Sequence, residues 1–211
     1  MTKQHPHHHK VHHKPKSTKK ILFISLAVVL IIISAICYFQ YKGTIAASVG
    51  GENIYNKRVD ALYNSLSNGS TLTKQAILLR LVDTKILVDY INKNGFGMSN
   101  EEFEKELKSR LNASGLMLEQ LKKELTLAGA TLSDVKDTFV IESFVDLQIL
   151  PKITVNSTDI EKYREINPNL NMNDFDLKKT IYLEKQKQAI ARIIASHKKE
   201  VGVYVSDKYE Q

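Results

Sequence analysis

Val201-Gly202-Val203-Tyr204-Val205 closes a chain that reads almost wholly as helix from Asn56 to His197. Valines at alternate positions give it the two-residue period of a half-buried strand. A solitary strand leaves its backbone N–H and C=O groups unpaired, so this one requires a partner. The only comparable extended stretch is Ala46-Ala47-Ser48-Val49-Gly50-Gly51-Glu52-Asn53-Ile54-Tyr55, which reads as a short strand, a glycine turn and a second short extended piece. The two ends of the domain should therefore meet. The expected fold is mainly α, a multi-helix bundle closed by a small sheet of N- and C-terminal strands.

Punctuation divides the helical region. Asn56 offers an N-cap to a helix through Leu66, with Val59, Leu62, Tyr63 and Leu66 at helical spacing. Thr73 opens the longest early helix, to about Asn92, and its apolar stripe is too wide for a one-sided helix, so it should be central. Asn94-Gly95-Phe96-Gly97 stops it, and Ser99 with Glu102 forms a capping box for a helix bearing Phe103, Leu107 and Leu111. After Gly115 a shorter helix carries Leu118, Leu121 and Leu125. Thr131 then caps one expected to reach Leu150, ended by Pro151. Ser157 or Thr158 caps a helix through Arg164, and the last long helix runs from Asp174 to about Lys199.

Composition places the remainder. The 211 residues include 30 Lys and Arg against 23 Asp and Glu, yet the first 20 residues hold six lysines, Lys3, Lys10, Lys14, Lys16, Lys19 and Lys20, and no acid. Everything after Lys20 carries a net charge near +1, so the basicity belongs to a tail and is no signature of a nucleic-acid-binding domain. Residues 1–20 have little to bury and are expected to be a disordered, His-rich, cytoplasmic tail. Residues 21–41 are expected to form one transmembrane helix, because Ile21 to Phe39 holds no charged residue and about 20 residues span a bilayer core. The lysines flanking its start keep that side cytoplasmic, which sets the domain of residues 42–205 outside the cytoplasm; residues 206–211 are expected to be a disordered tail. Two rivals remain beside the span. A cleaved secretory signal normally has a shorter apolar core, and lipoprotein processing at Cys37 would want a small residue where Ile36 stands.

No site chemistry is legible. The histidines at 5, 7, 8, 9, 12 and 13 could catch a transition metal, but no carboxylate or thiol accompanies them and they read as a solvated tract. There is no phosphate loop, no Gly-x-Ser-x-Gly elbow and no His-Glu-x-x-His helix. His197, the one histidine beyond the tail, suits a helix C-terminus. Glu101, Glu102 and Glu104 sit where a first turn ordinarily carries acids. The lysines at 178, 179, 185, 187, 198 and 199 interleave with Glu184 and Glu200 and read as a solvated face. No catalytic residue, metal site or cofactor is expected. Three Asn-x-Ser/Thr sequons, at Asn68, Asn112 and Asn156, would serve only a host with the glycosylation machinery.

Four stretches carry a resemblance. Val49-Gly50-Gly51-Glu52-Asn53-Ile54 with its following helix, Leu78-Leu79-Arg80-Leu81-Val82-Asp83-Thr84-Lys85-Ile86-Leu87, Gly95-Phe96-Gly97-Met98-Ser99-Asn100-Glu101-Glu102, and Leu183 to Ala189 with Val201-Gly202-Val203 occur in the order and spacing of a known module. The chain resembles the N-terminal chaperone domain of the SurA and PrsA family of extracytoplasmic folding factors. In that family a parvulin-type prolyl isomerase domain commonly follows the stretch similar to Ile153-Thr154-Val155, whereas here only Arg164 to Phe175 precedes the closing helix. The resemblance implies the polypeptide-holding part of a foldase without its isomerase.

The expected function is that of a membrane-anchored, extracytoplasmic, ATP-independent holdase for unfolded or newly exported polypeptides, bound to lipid through residues 21–41. Phe96, Met117, Leu118, Phe139 and Phe144 are the candidate client-binding residues, with ordinary core packing as the competing role of each. A homo-oligomer stays open. The rival from a different class is a scaffolding subunit holding one membrane partner, and the third reading is a residual prolyl isomerase.

Overall fold

The computed structural model describes residues 44–66 and 71–209. The expected tail of residues 1–20, the expected span of residues 21–41 and the sequon at Asn68 lie outside them. No helix among the described residues is long and apolar enough to cross a membrane.

The domain is mainly helical with one small sheet, and its ends do meet. Strand β1 (Ile45–Val49) turns through Gly50 and Gly51 into β2 (Glu52–Tyr55), and the closing strand β3 (Val203–Val205) lies on the other edge of β1, antiparallel to it. The turn needs both glycines, since φ is +57° at Gly50 and +90° at Gly51, as a two-residue hairpin demands. Register pairs Val49 with Glu52 on one side and with Val203 on the other. The Gly50 N–H also donates to the Gly202 carbonyl at 2.9 Å, so the hairpin turn and the incoming last strand are fastened at one point.

Seven α-helices intervene among the described residues: α1 (Asn56–Leu66), α2 (Lys74–Lys93), α3 (Asn100–Ser114), α4 (Leu118–Leu127), α5 (Leu132–Phe144), α6 (Ser157–Ile166) and α7 (Asp174–His197). Their starts follow the cap chemistry of the sequence. Thr73 Oγ1 accepts from the Ala76 N–H at 3.1 Å, and Ser99 and Glu102 exchange hydrogen bonds at 3.2 and 2.8 Å. At α6 the cap is corrected from Ser157 or Thr158 to Asn156, which makes the same reciprocal box with Asp159, so that sequon's amide is engaged as a cap.

Helix α2 is central, as its wide stripe predicts. Its first half buries Ile77, Leu78, Val82 and Ile86 against β1, β2 and Val59 of α1. Its second half buries Leu87 and Ile91 against Val140, Phe144, Val145 and Ile149, beneath α7. Two smaller clusters complete the interior, Phe103, Leu107 and Phe139 joining α3 to α5, and Ile160, Leu177 and Ile181 joining α6 to α7.

Two further expectations require correction. The helix expected to reach Leu150 stops being α-helical at Phe144; Val145–Ile149 is a π-helical turn in which the Leu150 N–H donates to the Val145 carbonyl, followed by a 3-10 turn at Leu150–Lys152. Pro151 has no N–H to continue the ladder and its ring crowds the preceding turn, so the backbone widens in the turn ahead of it. Of the tail expected to be disordered over residues 206–211, residues 206–209 instead fold back, and the last two lie outside the described residues: Ser206 N–H donates to the Ala46 carbonyl at 2.9 Å, and Tyr209 is buried on the sheet-side core. A single aromatic ring with a partner for its hydroxyl suffices to fix these four residues.

Candidate functional site

The described surface offers two hollows with substantial apolar walls, both built on α3. The first, of about 780 Å³, lies between α3 and α4. The stripe Phe103, Leu107 and Leu111 lines one wall, Leu116, Met117 and Leu118 the other, and Leu132 closes one side. Gly115 makes this shape possible: with φ at +70° it ends α3 in the left-handed region and turns the chain sharply into α4. Helix α4 then starts with the Met117 N–H donating to Gln120 Oε1 at 2.9 Å, and none of its residues is buried. An amphipathic helix without a buried residue leaves apolar surface in water; Leu118 is 38% exposed, Met117 64% and Leu127 74%.

The second hollow, of about 570 Å³, lies between α3, α5 and the loop after α2. Phe96, Met98 and Leu147 supply apolar lining, and Glu102, Glu106, Glu142 and Asp146 edge it. Arg110 crosses this hollow, donating to Glu106 and Glu142 at 2.7 Å each while its guanidinium stacks 4.0 Å from the Phe139 ring centre. These contacts hold the guanidinium pKa above its ordinary value, the hydrogen bonds to the two carboxylates outweighing desolvation.

The five candidate residues thus separate. Met117 and Leu118 stand in the α3–α4 hollow, and Phe96, 42% exposed, lines the second. Phe139 and Phe144 are corrected to core positions, 7% and 4% exposed. Phe139 packs against Phe103 at 5.7 Å between ring centres beneath Arg110, showing the second hollow only an edge; Phe144 sits between Tyr90 and Phe96, at 6.0 and 5.6 Å. Helical periodicity marks such residues as apolar without saying which stripe the neighbours cover. Leu116 was missed, although its place directly after the helix-ending Gly115 signals a side chain thrown outward at a turn.

His197 stands in the last turn of α7, as expected of a cation at a helix end, and has a further role. It is 4% exposed, and its two ring nitrogens face Asp89 at 2.6 Å and Glu200 at 3.3 Å, so it ties α7 to α2 and does more than cap a helix end. Among the described residues no group of histidine, cysteine and carboxylate side chains is placed to hold a metal ion. No known protein-family pattern matches the chain, and no curated protein is significantly similar to it.

Proposed function

We propose that the protein is a membrane-anchored, extracytoplasmic holding chaperone, which receives apolar stretches of unfolded polypeptide in the α3–α4 hollow and works without ATP or isomerase chemistry. The observation that carries this reading is a helix, α4, that buries none of its own residues while lining an apolar cleft of about 780 Å³. A cleft of that size takes a few side chains of an extended segment. Its rim groups, among them Glu104, Lys108 and Lys122, are charged of both signs and set no hydrogen-bonding template. Affinity then comes from apolar area alone, which makes binding broad in specificity and reversible by dilution or by the client's own folding.

Support for the wider setting comes from the sequence: the SurA-like order of strand, helices and closing strand, and the apolar stretch of residues 21–41 behind a lysine-rich flank. Anchoring would keep the cleft close to chains emerging from the membrane.

The test is dilution refolding of several unrelated clients with the full chain in mild detergent. Suppressed aggregation of most clients at stoichiometric amounts, unchanged by ATP, is expected, with no acceleration of proline-limited refolding. Inertness toward every client, together with one stoichiometric partner retained on purification from the native membrane, would establish the scaffolding role instead.

A further inference from the structure

A third hollow differs from the other two in charge. It is a notch of about 340 Å³ where the chain leaving the π-helical turn passes α7, with Ile149, Ile153 and Ala189 as its apolar part. Lys152, Lys185 and Arg192 stand in its wall, and no carboxylate does. The walls of the two larger hollows do contain carboxylates: Glu106 and Glu142 hold Arg110 in one, and Glu104 lines the other beside Lys108 and Lys122. In a domain that carries nearly as many acids as bases after residue 20, an unbalanced concave wall of cations is a local exception.

The cations are unequal. Lys185 is spent, donating to Asp159 at 2.7 Å and to the Thr154 carbonyl at 2.8 Å, which fixes the 153–155 link onto α7. Lys152 and Arg192 have no ion-pair partner among the described residues, and neither the Thr154 hydroxyl nor the Gln188 amide makes a hydrogen bond there. Two like charges sharing one notch repel, and an anion between them removes that repulsion. The vacant donors are a planar guanidinium fork, an ammonium, an amide and a hydroxyl. Together they exceed what one carboxylate can accept and suit the several oxygens of a phosphate.

We infer that the Lys152–Arg192 notch binds a phosphate group, either as the free ion or as the phosphodiester of an anionic lipid headgroup. The inference is independent of the α3–α4 hollow. Lys178, Lys185 and Arg192 recur every seven residues along α7, so a basic stripe leads away from the notch. Such a stripe suits a surface bearing many phosphates, which favours the lipid as the source.

The experiment is nuclear magnetic resonance of the full chain in uncharged detergent, observing the Arg192 side-chain N–H and the amides of Lys152, Thr154 and Gln188. Inorganic phosphate and a short-chain phosphatidylglycerol are titrated separately, with the matching short-chain phosphatidylcholine as the control. Saturable shifts with phosphatidylglycerol, weakened about tenfold or more by Arg192→Gln or Lys152→Gln and unaffected by Lys105→Gln, are expected from the loss of a charge-assisted hydrogen bond. Shifts with inorganic phosphate alone would identify the free ion as the ligand. No saturable shift with either probe, or shifts indifferent to both notch substitutions, would overturn the site.

Discussion

His197 Nε2 lies 2.6 Å from Asp89 Oδ2, joining the last turn of α7 to the last part of α2 directly beside the hairpin turn, where a side chain added at Gly50 would meet both Asp89 and Val201. The ring also packs edge-on to Tyr90, 5.5 Å between centres. Truncation by His197→Ala removes both the pairing and the packing. A loss of about 2–4 kcal/mol is expected, seen as a lower denaturant midpoint with an unchanged slope. Asp89→Asn, which keeps the shape and a hydrogen bond, should cost only about 1–2 kcal/mol. Equal effects of the two substitutions would show that the ring's packing contributes nothing.

Two acids on α2 should respond to pH with opposite signs. Burial raises the Asp89 carboxyl, but hydrogen bonds from Lys93 and His197 outweigh it and leave the group below its ordinary pKa. Its contribution is present above the unfolded-state value near 4 and is lost as pH falls through the folded value. At Asp83 burial dominates, only partly opposed by Lys198, and the group lies above its ordinary pKa. Asp83 therefore costs stability at neutral pH. Asp83→Asn should stabilise the protein at pH 7, by less than about 1 kcal/mol, with the gain vanishing in acid below about pH 4. Asp89→Asn should make the acid limb of the stability curve shallower.

These helices show what a sequence yields and where it stops. Thr73, Ser99 with Glu102, and Gly115 act on their nearest neighbours through hydrogen bonds or φ, and local chemistry of that kind is written in consecutive residues. That β3 joins the opening hairpin was also legible, since a lone strand had one extended stretch to pair with; its choice of the β1 edge was not. Pro151 acts on the turn behind it, and periodicity alone ran through that turn. Phe139 and Phe144 could not be told from client-facing residues, because the covering of their stripe by α2, α3 and Arg110 is a tertiary fact. Tyr209, one aromatic in a short polar tail, has no period at all.

Gly129 and Gly115 both sit at positive φ, +67° and +70°, yet they should differ in tolerance. A Cβ on Gly129 would collide with Ala61 Cβ, since the turn from α4 into α5 lies directly on α1, whereas one on Gly115 meets nothing. Gly115→Ala should cost about 1 kcal/mol from backbone strain alone. Gly129→Ala should cost about 2–4 kcal/mol, strain plus overpacking. Thermal melting of the two variants side by side checks the ranking, and a milder Gly129 variant would mean that α1 yields easily.

Tyr209 holds the closing strand from beyond its end. Its hydroxyl donates to Asn56 Oδ1 at 2.8 Å, and its carbonyl accepts from Gln75 Nε2 at 3.0 Å, so β3 is flanked by an anchor on α1 and α2. Tyr209→Phe should cost about 1 kcal/mol. Tyr209→Ala, which opens the sheet-side core, should cost about 3–5 kcal/mol. Hydrogen exchange at Tyr204 and Ser206, whose N–H groups face β1, should accelerate before exchange in α2 does, because the strand is the element released first.

Substitutions in the α3–α4 hollow test the proposed holding role apart from folding. Met117 is largely in water and Leu118 partly so, so Met117→Ser with Leu118→Ser removes apolar lining while lowering stability by no more than about 2 kcal/mol. Aggregation suppression should fall several-fold, since each lost side chain removes apolar area from whatever the cleft covers. Phe144→Ala should behave in the reverse way, costing about 3–5 kcal/mol through the cavity it leaves between Tyr90 and Phe96. Where that variant stays folded, in the cold or with a stabilising co-solute, its holding should match the parent. A serine pair that holds clients as well as the parent would place client binding outside this cleft, and the second hollow, with Phe96 and Leu147 at its edge, would be the next surface to substitute.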